Sequence, residues 1–442
     1  MIDAIIERDA ASLGSVMKIR FYPMVVDRAQ GVRLWDVDGK EYLDFLAGWA
    51  VANTGYCHPA IVEAVTEQAK RTTHVSTTSF PNEPSVALAE KLVKITPGKH
   101  DRKVVLGLSG SDANDCVFKL LPTYTGRGNV VSFLGAMHGM TSGSMAISGR
   151  KSDSGSPSVG NVTRTPYAYC YRCHLGLNYP SCNIQCANII EDTMFKLISP
   201  KNIAAIIIEP VQSDGGDVVP PKEWAGRVRR ICDRYGILLV DDEIKVGFGR
   251  TGRMFAIEHT EAVPEIITVG KSIASGLPLS AVIAKKEMLD IAPAAHLFTT
   301  AGNPICCAAA LATIEVIEKE RLCERAAKIG SYMKKRLNEI AQRHPLISDV
   351  RGQGLILGLE LVKNTKTKEP AIRETAKVCY RAWENGLILG YVGQHSNVVE
   401  ITPPLILSEE DAEQGLQTLE ATFSEVEHGK VSDEKITRFA GW

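Results

Sequence analysis

The run Ile237-Leu238-Leu239-Val240-Asp241-Asp242-Glu243-Ile244-Lys245 decides the fold. Four apolar residues without polar alternation suit a strand covered on both faces, the habit of parallel sheets. The acids that follow fall at its C-terminal end, where open α/β sheets bind ligands. Similar runs at 104–108, 129–133, 203–208, 266–269 and 279–284 extend the pattern in both directions. Helical periodicity fills the gaps at 83–94, 111–121 and 223–235. This alternation predicts an α/β domain over residues 55–320, its mostly parallel sheet covered by helices. After a helix at 305–319 the style changes. Helices at 322–343, 373–384 and 408–427 surround a Gly-punctuated, strand-like stretch at 350–360. Residues 321–442 therefore read as a smaller α+β domain, which the N-terminal segment 1–54 joins. The Ser/Gly/Asp stretch 148–160 reads as a loop.

Composition narrows the function classes. The chain has 442 residues, 45% apolar and 23% charged, with a formal net charge of −1. Such balance argues against a nucleic-acid binder and against a disordered polyanion. No apolar run approaches the length of a membrane span, and the first residues carry Asp3, Glu7, Arg8 and Asp9 in place of a signal core. A soluble cytoplasmic protein is the expectation.

Three stretches carry chemistry. Leu108-Ser109-Gly110-Ser111-Asp112-Ala113-Asn114 joins a strand to a helix, so small residues and a helix N-terminus offer backbone N–H groups to an anion. Asp242 ends the next buried strand. Gly270-Lys271-Ser272 follows another, 29 residues beyond Asp242, and a lysine flanked by small residues there suits a Schiff-base amine. Each alone has an ordinary explanation, as an N-cap or a surface lysine. Their order is the specific signal.

With His138-Gly139, Glu209-Pro210-Val211-Gln212, Gly247-Phe248-Gly249-Arg250-Thr251-Gly252 and Gly302-Asn303-Pro304, the chain resembles the class III, fold type I family of pyridoxal-phosphate enzymes. The resemblance implies that pyridoxal 5'-phosphate binds covalently to Lys271 and pairs its ring nitrogen with Asp242. It further implies that Ser109, Gly110 and Ser111 hold the phosphate, that Ile244 packs on one ring face and that His138 is a structural neighbour of the ring. Thr299 would reach the phosphate of a neighbouring subunit, which implies a homodimer or a higher homo-oligomer.

Departures from the aminotransferase pattern bear on the reaction. Lys245 replaces the usual Gln, Asp214 shortens the usual acid after Glu-Pro-Val-Gln, and Glu400 replaces the Arg that grips a substrate carboxylate. A free acid about 4 Å from Glu400 would be repelled by ~4 kcal/mol at an effective dielectric near 20, roughly three decades of affinity. Lys245 would blunt this repulsion if it sat between the two, but an uncharged acyl group still fits better; the ordinary alternative is that Glu400 points to solvent and another basic residue binds the acid. These positions, with Trp49 and the ending Ile436–Trp442, resemble the α-amino-ε-caprolactam racemases, a subgroup in which the matching Trp lines the substrate pocket. The resemblance implies that Lys271 and Asp214 move the Cα proton on opposite faces while Lys245 tunes them. The small-molecule substrate would be an amino lactam or an amino acid amide. The alternatives are a racemase or epimerase of free amino acids, an ω-aminotransferase, and a catalytically weak cofactor-binding protein. Retention of Lys271, Asp242 and Asp214 together weighs against the last. Met137 stands where family members carry an aromatic residue before His-Gly; its sulfur can cover a ring but supplies no hydroxyl.

Cys170, Cys173, Cys182 and Cys186 lie within 17 residues, in a Cys-rich insert over 166–190. Their spacing suits structural zinc or a packed insert rich in Tyr.

Overall fold

In a computed structural model, residues 1–99, 101–149 and 160–439 are described. Most of the 148–160 loop, and the end of the 436–442 motif from Ala440, lie outside them. A seven-stranded sheet forms the centre, in the order Arg102–Gly107, Ser280–Lys285, Ile266–Val269, Leu238–Asp242, Ile203–Ile208, Asn129–Phe133 and Val162–Thr165. Every residue of Ile203–Ile208 is buried, as a strand covered by helices on both faces requires. All six expected strands form, within a residue or two of the expected bounds. Ser280–Lys285 runs antiparallel to both neighbours, and four pairings on the other side are parallel. The sequence reading did not include Val162–Thr165, an edge strand only half buried.

The helix Gly110–Thr125 starts close behind the edge strand Arg102–Gly107; Ser109 caps it by accepting the Asp112 N–H. Beyond the central sheet, Ile347–Gln353 and Ile356–Asn364 form a hairpin, so the strand-like stretch at 350–360 is two strands. Val398–Ile401 and Gly390–Val392 extend that hairpin into an antiparallel sheet. A third sheet joins Val26–Gln30, Arg33–Asp36 and Glu41–Asp44 to Leu387–Ile388, with Leu387 in register with Leu43. Arg250 ties the pieces together. Fully buried, its guanidinium donates to the carbonyls of Leu355 and Pro403 and to Asn53. Burial pulls its proton affinity down to about 9. Among the described residues no helix is long and apolar enough to cross a membrane.

Candidate active site

Strand ends and the loops after them build one cavity. Met137, Glu209, Asp214, Asp242, Ile244, Lys245 and Lys271 all line it. Asp242, the last residue of its strand, is held from three directions. The Asn114 amide donates to Oδ2 at 2.7 Å, His138 Nδ1 lies 2.7 Å from the same oxygen, and the Ile244 N–H donates to Oδ1 at 3.1 Å. His138 is buried and its Nε2 has no partner, so the ring reads as a support that orients the carboxylate.

Lys271 follows the strand Ile266–Val269 with φ of 46°, in the left-handed region that non-glycine residues rarely occupy. Burial, then the charge of Lys245, lowers its proton affinity, which moves it toward the neutral amine a nucleophile or base needs. Glu209, which sequence reasoning quoted without a role, accepts the Met137 N–H at 3.0 Å; burial raises it to about 7.

Lys245 is the central charge of the site. Its Nζ donates to Glu400 Oε1 at 2.6 Å and to Asp214 Oδ1 at 3.2 Å, and lies 5.3 Å from the Trp49 ring centroid. Burial opposes that charge, but Glu400 and then Asp214 outweigh it and raise its proton affinity. Glu400 has no exposed surface. The ordinary reading of Glu400 as a solvent-facing residue is therefore overturned, and the repulsion expected of a bare carboxylate is reduced by a cation in contact. Register explains how the carboxylate fits: Glu400 pairs with Gly358 on one strand and Gly390 on the other. A Cβ at Gly390 would stand 3.5 Å from Trp49, and one at Gly358 would stand 3.0 Å from the Asp217 Cβ.

Trp49 sits in a turn, Ala47–Ala50, whose four residues all have positive φ, between 48° and 70°. L-residues adopt such a turn at a cost of roughly 1–2 kcal/mol each. It sets Trp49 between Lys245 and a cavity of about 1070 Å³ lined by Phe21, Tyr22, Leu46 and Tyr56 and also by Lys18, Arg20 and Asp44.

Two groups lie apart. Thr299 is exposed and does not line the cavity. The four insert cysteines line one small separate cavity and are unbridged, with burial pushing Cys186 up to about 12. Among the described residues no three such side chains are arranged to hold a metal ion.

The residues suit pyridoxal phosphate. A carboxylate fixed by three donors faces a cavity that also holds a half-buried amine, and a glycine-started helix end lies against Ile244. An ideal Cβ on Gly110 would fall 2.7 Å from Ile244 Cγ2. Gly110→Ala is therefore expected to displace Ile244 and weaken cofactor binding about tenfold, at ~1–3 kcal/mol for overpacking. Titration of the apoprotein followed by absorbance measures it; unchanged affinity would remove Ile244 and Gly110 from the cofactor's surroundings.

Residues 16–423 match the family described as Aminotransferase class-III. The chain is 42% identical over 430 residues to an isoleucine 2-epimerase of Lentilactobacillus buchneri, covering 96% of this chain and 95% of that one. It is 41% identical over 444 residues to a leucine/methionine racemase of Thermococcus litoralis, covering 100% and 99%. Among solved structures, a Bacillus anthracis aminotransferase superposes with a TM-score of 0.88 at 31% identity, covering 96% of this chain and 98% of that one. An amine transaminase from an uncultivated Pseudomonas species, solved with PLP bound, gives 0.85 at 28%, covering 91% and 95%.

Proposed function

The chain belongs to the class-III aminotransferase family, with pyridoxal phosphate as cofactor, and from that premise we propose that it is a racemase or epimerase inverting the α-carbon of a small amino compound. The observation that carries this reading is that Lys271 and Asp214 line one cavity, with Lys245 donating to Asp214. Inversion needs proton-handling groups on both faces of the α-carbon, whereas transamination needs one lysine.

In this reading Lys271 would hold the cofactor covalently until the substrate amine displaces it, Asp242 would pair with the ring nitrogen, and Ser109, Gly110 and Ser111 would receive the phosphate. Ile244 and Met137, which line the same cavity, would cover the ring. When bound, the cofactor supplies an electron sink that acidifies the α-C–H of an attached amine. Lys271, with its proton affinity lowered, takes or returns the α-proton on its own face. Asp214 handles the proton on the other. Lys245 lends Asp214 a positive neighbour when it is ionised and a fixed orientation when it is not. Trp49 orients the hydrocarbon part of the substrate at the edge of the larger cavity. Thr299, exposed on this chain, serves the phosphate of a second copy in a homodimer.

The substrate we favour carries an uncharged acyl group, as an α-amino lactam or an α-amino acid amide. Lys245 is one cation against two contacting carboxylates, so no positive charge is left over there for a substrate carboxylate. A second reading, a free neutral α-amino acid, is favoured by the names of the isoleucine and leucine/methionine relatives. Incubation of the cofactor-loaded enzyme with single enantiomers, followed by chiral chromatography, separates the two. Lactam or amide should racemise without a keto-acid acceptor and at least about tenfold faster than the free acid. A faster free acid transfers the substrate to the second reading; amine loss that depends on an acceptor sinks the racemase.

A further inference from the structure

Behind Lys245 a chain of polar groups continues away from the cavity. The Ser213 Oγ lies 3.1 Å from Glu400 Oε1 and 3.2 Å from Asp217 Oδ1, between two fully buried carboxyl groups. One hydroxyl proton cannot serve two carboxylates. The arrangement is satisfied when Asp217 carries a proton and donates it to Ser213, and Ser213 donates its own to Glu400. Burial, and after it the charge of Glu400, raises Asp217 well above the ordinary carboxyl range, in the direction this requires.

The backbone is committed to the arrangement. Asp217 has φ of 52°, a strained value for a non-glycine residue, and follows Gly216 at +122°. Arg351 donates to the Gly216 carbonyl at 2.7 Å, and the Gly393 N–H donates to the Asp214 carbonyl at 3.0 Å. The loop that carries Asp214 is thus held at the Asp214 and Gly216 carbonyls, and Asp217 packs where Gly358 lacks a side chain.

We propose that Ser213 and Asp217 are positioning residues for Asp214: they orient Glu400, Glu400 holds Lys245, and Lys245 fixes the Asp214 carboxyl on its face of the substrate. This rests on the two-face reading above. The groups that bear on the chain are Lys245, Glu400 and Arg351 around Asp217, with Lys245 and Glu209 beside Asp214. Lys271 is reached by none of these hydrogen bonds, only by the charge of Lys245, so loosening the chain should affect the Asp214 face of the α-carbon far more than the Lys271 face.

The test is exchange of the α-proton in heavy water, followed by NMR, started separately from each enantiomer with holoenzyme. Ser213→Ala should slow exchange from one enantiomer about tenfold, in kcat more than in KM, and leave the other near wild type; one hydrogen bond to a charged group has about this weight. Asp217→Asn keeps a donor without a charge and should stay within about twofold of wild type for both. The cofactor absorbance should be unchanged in both variants. Equal slowing of the two enantiomers by Ser213→Ala, or no slowing, overturns the positioning role, as does an Asp217→Asn variant impaired like Ser213→Ala. Wild-type enzyme that exchanges only one enantiomer fails at the earlier step, the racemase reading itself.

Discussion

Asp214→Asn is expected to lower racemisation by about three orders of magnitude while the cofactor still binds and still reacts with Lys271. Asparagine keeps the shape of the side chain and an oxygen that accepts from Lys245, so the hydrogen bond at 3.2 Å survives in weaker form. Lys245 also keeps its shorter contact with Glu400, and the buried network is not opened. What is lost is a group that gains and releases a proton. Lys271 continues to serve one face, so α-proton exchange from one enantiomer should persist in heavy water while inversion stops. Chiral chromatography measures the first quantity and NMR the second. A variant that racemises at the wild-type rate would reject Asp214 as the second acid and base.

The sequence carried the central sheet because its strands are apolar on both faces. Ile203–Ile208 is a run of six residues that no exposed face interrupts. The same signal was silent on direction: Ser280–Lys285 is equally buried, yet runs antiparallel to both neighbours. The three N-terminal strands escaped because Val26–Gln30 is almost wholly exposed and the next two have four residues each. Nothing in their composition separates them from loops.

For the site, Lys271 and Asp242 were legible because each follows or ends a buried strand, and the two strands are parallel neighbours. That Lys245 could offset Glu400 was expected, but their direct contact was not legible, since 155 residues separate them and the sheet register of Glu400 with Gly358 and Gly390 is a long-range feature. Read singly, Glu400 is a repulsive charge; paired, it is half of a buried ion pair. Ser213 and Asp217 gave no signal, because a Ser and an Asp beside two glycines describe an ordinary turn. The left-handed turn at Ala47–Ala50 was hidden for the opposite reason. Only Gly48 in it prefers positive φ, and two alanines and a tryptophan are held there by the surrounding fold.

That ion pair supports the last expected result. Lys245→Met should destabilise the protein by about 3–5 kcal/mol at pH 8, because it leaves Glu400 ionised and fully buried without its cation. Methionine preserves the apolar stem beside Trp49, so lost packing contributes little. The pH dependence has a definite sign. Lys245 has a raised proton affinity in the fold, so its contribution is complete below the ordinary lysine range, about 10.4, and fades only as pH rises through the higher folded value. Between pH 6 and 9 the lysine itself adds no slope. Adding Glu400→Gln to Lys245→Met removes the buried charge altogether and should recover most of the lost stability, whereas Glu400→Gln alone leaves Lys245 with Asp214 and costs less. Urea unfolding at pH 5 and pH 8 across the four proteins gives the coupling energy directly. Additive effects of the two substitutions would mean that Glu400 and Lys245 do not hold each other, and the route from Glu400 through Lys245 to Asp214 would be lost with them.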